Sequence, residues 1–391
     1  METLNDVAPY IGYVFPNETL IPWTALIVVY PYLTGLVAGA FTVSSLYQVF
    51  GMQRFKPVAH FALLTSLCCM LIVPIPLLLH LGHAERAFNA MITPHTTSAF
   101  AIFGFAAAFY AILLMLENWF VFRPHIVEQA QTRTGLLGLL YRVLSLGSHD
   151  LSEKAMRYDR KWIFALAVIG IPAAPGLHGY VGFVFGSLTS REGWSSDLMP
   201  PIFLFSAIIS GTALLIVLYV VSCALRKKPV DLPCLKGMAY SLWGFMMFTL
   251  LLEAVEFGAL VYRGREGIDM IMEYVHGPLA IPFFTLQLGI GSVFPIALLT
   301  FMVARGTTGK ALIAGVTTCG VLVLLAVFLM RWNVVIGGQE ISKTGRGLLT
   351  YHLHLLGKEG GLVVASVLAA PMVLVYVMTH LFPPWHDRAP T

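Results

Sequence analysis

Charge is scarce in this sequence. Asp, Glu, Lys and Arg make up 11% of its 391 residues, whereas a soluble domain carries about a quarter. With 58% hydrophobic residues and a mean hydropathy of +0.79, the composition excludes a soluble enzyme and implies an integral membrane protein. A formal net charge of only +4 gives no basis for a nucleic-acid partner. Cysteine is scarce too: Cys68, Cys69, Cys223, Cys234 and Cys319 include no CxxC pair. Iron–sulfur ligation needs spaced thiolates, so no cluster is expected in this chain, nor a disulfide framework. The opening "METLNDVAPYIGYVFPNETLIPW" is acidic, without Lys or Arg and without a cleavable apolar core, so no signal peptide is expected.

What is abundant is long apolar runs. A spanning helix needs about 20 mostly apolar residues. Nine runs qualify: 23–50, 57–80, 97–122, 161–187, 200–225, 236–262, 280–303, 309–331 and 361–381. The expected fold class is all-α, a polytopic transmembrane helix protein of about nine spans. The stretch "GLLGLLYRVLSLG" at 135–147 is too short to cross and reads as an interfacial helix. Of the 24 Lys and Arg residues, sixteen fall in the odd-to-even connections and the tail, from Arg54 and Lys56 to Arg388, and eight fall on the other side. The positive-inside rule then makes the N-terminus extracytoplasmic and the C-terminus cytoplasmic. Spans one and five run the same way, each opening with proline and reaching a glycine about a dozen residues later. This suggests two four-helix bundles, residues 1–190 and 191–335, followed by an outer loop and a ninth span at 336–391; ordinary Pro and Gly use in membrane helices gives the same pattern. Gly35 and Gly39 form a small-xxx-small pair suited to close helix packing.

Ionisable side chains inside a membrane cost several kcal/mol, on the order of 3 for each group on insertion scales, and are functional candidates by default. Most gather towards the outer half. "HLGHAERAF" places His80, His83, Glu85 and Arg86 at the outer end of span two, and His178 lies in "GIPAAPGLHGYVGF" of span four. Glu253 and Glu256, at i and i+3 in "LLEAVEFGAL", share one helix face, and Arg331 closes span eight at the same level. Glu117, in "LLMLENWF", is expected near the cytoplasmic face. One arrangement explains the set: an outer site with a polar track leading inward, along which imidazoles and carboxylates pass protons. Each residue also has a plainer reading: His83, Glu85 and Arg86 as helix caps or headgroup-layer pairs, His178 as a hydrogen-bonded core histidine, Glu253 and Glu256 as ion-pair partners of Arg331, and Glu117 as a solvated edge residue. Trp23, Tyr30 and Tyr32 serve as an aromatic belt or line a slot for a flat ring.

"LLLHLGHAERAFNAM" followed by "ITPHTTSAFAIFGFAAAFYAILL" resembles the connection after span two in the NrfD/PsrC family. "GLHGYVGFVFGSLTSREGWSSDLMPPIFLFSAIISG" is similar to that family's bundle-joining region, and "MRWNVVIGGQEIS" to members from sulfate-reducer respiratory complexes, the menaquinone reductase complex among them. The resemblance covers about residues 20–345. Relatives often carry Asp where this chain has His80. It implies a subunit of the bacterial inner membrane, without haem or iron–sulfur cluster of its own, that binds menaquinone near the outer face. The electrons would come from an extracytoplasmic, ferredoxin-like iron–sulfur subunit, in a complex that also holds molybdopterin-family-like and multihaem cytochrome c subunits. In this picture His83, Glu85 and Arg86 are catalytic. Trp23, Tyr30, His80, His83 and Arg86 hold the quinone, while His178, Glu253, Glu256, Glu117 and Arg331 resupply protons, which would make turnover electrogenic.

Two other classes compete. A di-haem cytochrome b would use His80 and His178 as axial ligands, but two bis-His sites need four histidines within spans. A secondary transporter would explain Gly/Pro-interrupted spans, but no matching broken helices occur in both halves.

Overall fold

A computed structural model describes residues 20–385 except 96, 99, 192, 265–267 and 345–346. The acidic N-terminal segment, His386 and Arg388 lie outside the described residues. Among those described, nine helices are long and apolar enough to cross a membrane: α1 Ala25–Gln48, α2 Gln53–His80, α3 Ala101–Thr132, α4 Glu153–Gly186, α5 Met199–Leu225, α6 Leu232–Arg263, α7 Ile281–Ala304, α8 Gly309–Glu340 and α9 Gly361–Leu381. The expected all-α, nine-span fold is borne out, and the interfacial segment is a helix at Gly135–Leu144. The face on which α1 begins is termed the N-face and the opposite one the C-face.

Local chemistry sets several helix ends. Ser152 caps α4 by accepting from the Ala155 N–H, and Asp231 caps α6 by accepting from the Cys234 N–H. Gly264, left-handed at φ +51°, ends α6. Pro74 interrupts α2 after Ile72, where a missing N–H breaks the ladder. The apolar runs placed the end of α3 at 122 and the start of α4 at 161, yet the helices continue to Thr132 and begin at Glu153. Buried Arg123 and Asp159 explain the extra turns. The Arg123 Nε and Nη2 donate to the Asp159 carboxylate at 2.6–2.9 Å, and Nη1 donates to Ser148 Oγ and the Asp150 carbonyl. A bidentate pair of this kind satisfies both charges where the sequence pattern reads only a polar loop.

Burial separates hub from perimeter. In its most apolar window α1 is 89% buried and α6 only 11%; α1 packs against α2, α4, α5 and α8. The α1–α5 crossing is a backbone contact. A Cβ added at Gly39 would collide with the Ala207 carbonyl oxygen, and one at Gly211 with the Gly39 backbone. The close packing expected of the glycine pair is therefore found at Gly39, while Gly35 faces the His178 ring.

At the C-face, the Tyr141 hydroxyl donates to the Leu381 carbonyl at 2.8 Å, and Arg226 lies 4.2 Å over the Trp385 ring. At the N-face, the segment after α4 and the last turns of α8 meet the start of α1. Trp23 stacks on Trp194 at 5.2 Å, its backbone exchanges two hydrogen bonds with the Gln339 side chain, and Trp194 Nε1 donates to the Val334 carbonyl.

Candidate functional site

Beneath these N-face contacts lies a buried polar cluster. Arg331, fully buried near the end of α8, donates to Ser206 Oγ on α5 and is bonded at 3.1 Å to His178 Nε2 on α4. Its guanidinium sits 3.7 Å over the Phe203 ring, which also stacks on His178. Gly35 makes room for this imidazole, since a Cβ there would stand 3.3 Å from it. A buried guanidinium is tolerated only with donors satisfied and charge offset, and hydroxyl, imidazole and aromatic face supply part of both. Helices α4, α5 and α8 thus meet at one cation.

Glu253 of α6 and Gln287 of α7 line the same two cavities. Among the described residues no ion pair joins Glu253 or Glu256 to Arg331; the arginine's hydrogen bonds go to Ser206 and His178 instead. Gln287 Oε1 accepts from Asn333 Nδ2 at 2.8 Å. Both amides sit in stretches of wide, i→i+5 winding, Ile281–Val293 and Asn333–Gly337. Such π-segments are uncommon and frequently mark functional sites. Here they turn two side chains towards one cavity of about 190 Å³, lined by Glu253, Glu256, Phe257, Phe283, Gln287 and Asn333 among others. A smaller void of about 30 Å³ shares Glu253, Gln287 and Met330 with it and is also lined by Thr249, Ser292 and Ser206. On the cavity's far wall Tyr274 donates to Glu340 at 2.5 Å, and burial together with that carboxylate pushes its hydroxyl well above the ordinary range.

The rim after α2 is a different environment. His83 Nδ1 and Glu85 Oε1 are 2.9 Å apart, with side chains 65% and 68% exposed. His80 is paired at 3.3 Å with Glu359, ahead of α9, and Arg86 is exposed. Trp23 and Tyr30 do not touch this group: Trp23 is stacked on Trp194, and Tyr30 is buried edge-on to Phe103. Of the two histidines that a haem reading would use, His178 has its Nε2 bonded to Arg331 and His80 has its Nδ1 facing Glu359.

Glu117 corrects the expectation of a solvated edge. It is fully buried at the middle of α3, with neither carboxyl oxygen hydrogen-bonded. The apolar run ends soon after it, but the helix continues to Thr132, so the residue lies within the helix and not at its end. Gln287, Asn333, Ser206 and Phe203 escaped the sequence reading. A lone amide in "PFFTLQLGIG" was the available signal for Gln287, and nothing local marks Ser206 or Phe203.

Comparison with known proteins adds ancestry to this geometry. Residues 14–342 match the family model described as polysulphide reductase, NrfD. The chain is 33% identical over 323 residues to the C chain of the selenate reductase of Mesobacillus selenatarsenatis, covering 80% of this chain and 73% of that protein. It is 24% identical over 348 residues to the Hdr-like menaquinol oxidoreductase integral membrane subunit of Archaeoglobus fulgidus, covering 88% and 77%. Over 347 residues it is 26% identical to the protein NrfD of Escherichia coli, covering 83% and 97%. With a matched segment running from before α1 to beyond α8, this multi-pass membrane chain belongs to the NrfD polysulphide reductase family.

Proposed function

We propose that the chain is the membrane subunit of a respiratory oxidoreductase complex and passes electrons from an extracytoplasmic iron–sulfur partner to menaquinone. The names of its relatives, from a selenate reductase and a menaquinol oxidoreductase among others, support a redox complex. The N-face is then the periplasmic side of the inner membrane, because the basic residues crowd the C-face connections. Molybdopterin-type and multihaem cytochrome c subunits would complete the complex on that side. We also take 1–190, 191–335 and 336–391 as its structural units.

The observation that carries this reading is the exposed His83–Glu85 pair at 2.9 Å, beside Phe88 and Ile92 at 68% and 73% exposure. A proton-exchanging pair among uncovered apolar side chains suits a surface that a partner subunit completes. Reduction of a quinone takes up two electrons and two protons. His83 hydrogen-bonds one quinone oxygen and delivers a proton to it. Glu85 orients the imidazole, and Arg86 offsets negative charge as it develops on the ring. His80, Trp23 and Tyr30 stand at the same face. His178, Arg331, Glu253, Glu256 and Glu117 are proposed to resupply protons, making turnover electrogenic. Replacing His83 by Ala should lower quinone reduction by about a hundredfold, the usual scale for a positioned general acid, while the partner subunits still co-purify. Unchanged turnover in an intact complex would remove the rim from the reaction.

A further inference from the structure

The cavity between α6, α7 and the end of α8 shares no lining residue with the rim, and its chemistry is distinct. We infer that it is a second binding site, for a hydroquinone headgroup: a flat ring carrying two hydroxyl donors on an isoprenoid tail. The inference rests on the reading above that the chain meets an isoprenoid quinone, and it concerns binding alone.

Four observations converge. First, Glu253 and Glu256 lie one turn apart on α6 and both line the cavity. Their Cβ atoms are then about 5–6 Å apart, close to the span of a para-dihydroxy ring. Second, neither glutamate is in an ion pair among the described residues, and the neighbouring amide Gln287 is held in place by Asn333. Two uncommitted carboxyl acceptors on one face fit a ligand with two hydroxyls. Third, Phe257 and Phe283 form the wall with ring centroids 6.1 Å apart and an interplanar angle of 30°, joined by Leu260 and Met330. Aromatic faces of this kind pack an aromatic ring well. Fourth, α6 and α7 are perimeter helices, with Leu251, Val255 and Ile281 exposed at 57%, 51% and 68%. A tailed ligand therefore reaches the slot from the hydrocarbon layer.

The acceptors also predict selectivity. A hydroquinone donates to carboxyl oxygens, but an oxidised quinone offers only carbonyl acceptors and would leave them unpaired. A lipid ammonium group would satisfy the carboxylates yet leave the aromatic wall without a ring against it.

The test uses the full chain co-purified with its partners in phosphatidylcholine nanodiscs. The probes are tritiated menaquinol-1, kept reduced, and menaquinone-1. Wild type should bind two equivalents of menaquinol-1 per chain. Glu256→Gln should weaken one of them at least about tenfold, the scale of a lost charged-acceptor hydrogen bond, and should narrow the preference for the reduced probe. Leu260→Trp, which fills the slot, should abolish the same equivalent, and His83→Ala should spare it. A single equivalent insensitive to both slot variants, or equal affinity of the slot for oxidised and reduced probe, overturns the inference. Loss of turnover in His83→Ala with no effect of the slot variants would leave the rim reading standing alone; slot binding with full turnover in His83→Ala would do the reverse.

Discussion

At the scale of single residues, the decisive feature is a buried cation held by neutral groups. Arg331 bonds to Ser206 and His178 and lies over Phe203; remove it, and a buried hydroxyl and a buried imidazole lose a partner. Arg331→Met should therefore destabilise the protein by about 2–5 kcal/mol, read as a lower unfolding midpoint in detergent. An unchanged midpoint would mean that neighbouring groups re-pair. Tyr274 supplies a pH dependence. Burial and Glu340 raise its pKa in the fold, so the unfolded chain gives up this proton first, near about pH 10. The stabilisation is complete below that value and is lost as pH rises towards the folded one. Between about pH 9 and about pH 11, wild type should lose thermal stability more steeply than Tyr274→Phe. Parallel curves for the two proteins would refute the coupling.

Helix contacts argue at the next scale up. Gly39 and Gly211 bring α1 and α5 to backbone contact, so the hub helix tolerates almost nothing there. Gly39→Ala should cost about 1–3 kcal/mol, the usual penalty of overpacking. Gly35→Ala, whose new Cβ would meet the edge of the His178 ring at 3.3 Å, should cost clearly less. Comparable losses at the two positions would show that the crossing relaxes and that the glycines are not what sets it. The wide turns in α7 and α8 matter for a different reason. They rotate Gln287 and Asn333 out of ordinary helical register, and the hydrogen bond between them ties the two π-segments together beside the cavity.

For the whole molecule, the testable quantity is orientation. In a variant lacking the five native cysteines, Lys358→Cys should react with a membrane-impermeant maleimide in spheroplasts, and Lys228→Cys only after lysis. The opposite pattern would invert the membrane placement proposed for the N-face, and with it the side on which an iron–sulfur partner docks. Burial at this scale also says which helices can change their surroundings. With α1 enclosed by neighbours and α6 largely uncovered, ligand entry belongs to the α6–α7 flank, and the hub stays fixed.

The sequence by itself determined the membrane class and the nine spans, since the cost of burying backbone in lipid leaves a long apolar run little choice but helix. It also marked His178, Glu253, Glu256 and Arg331, because charge within such a run stands out against its surroundings. Only the tertiary structure decided which of them meet. Arg331 turns to Ser206 and His178, and the glutamates face a cavity with Gln287 and Asn333, through crossings between partners as far as 153 residues apart that leave no local pattern. Glu117 is buried and not solvated for the same kind of reason: Arg123 and Asp159 extend α3 and α4 through polar segments, and the pair that stabilises those turns exists only after the two helices have packed.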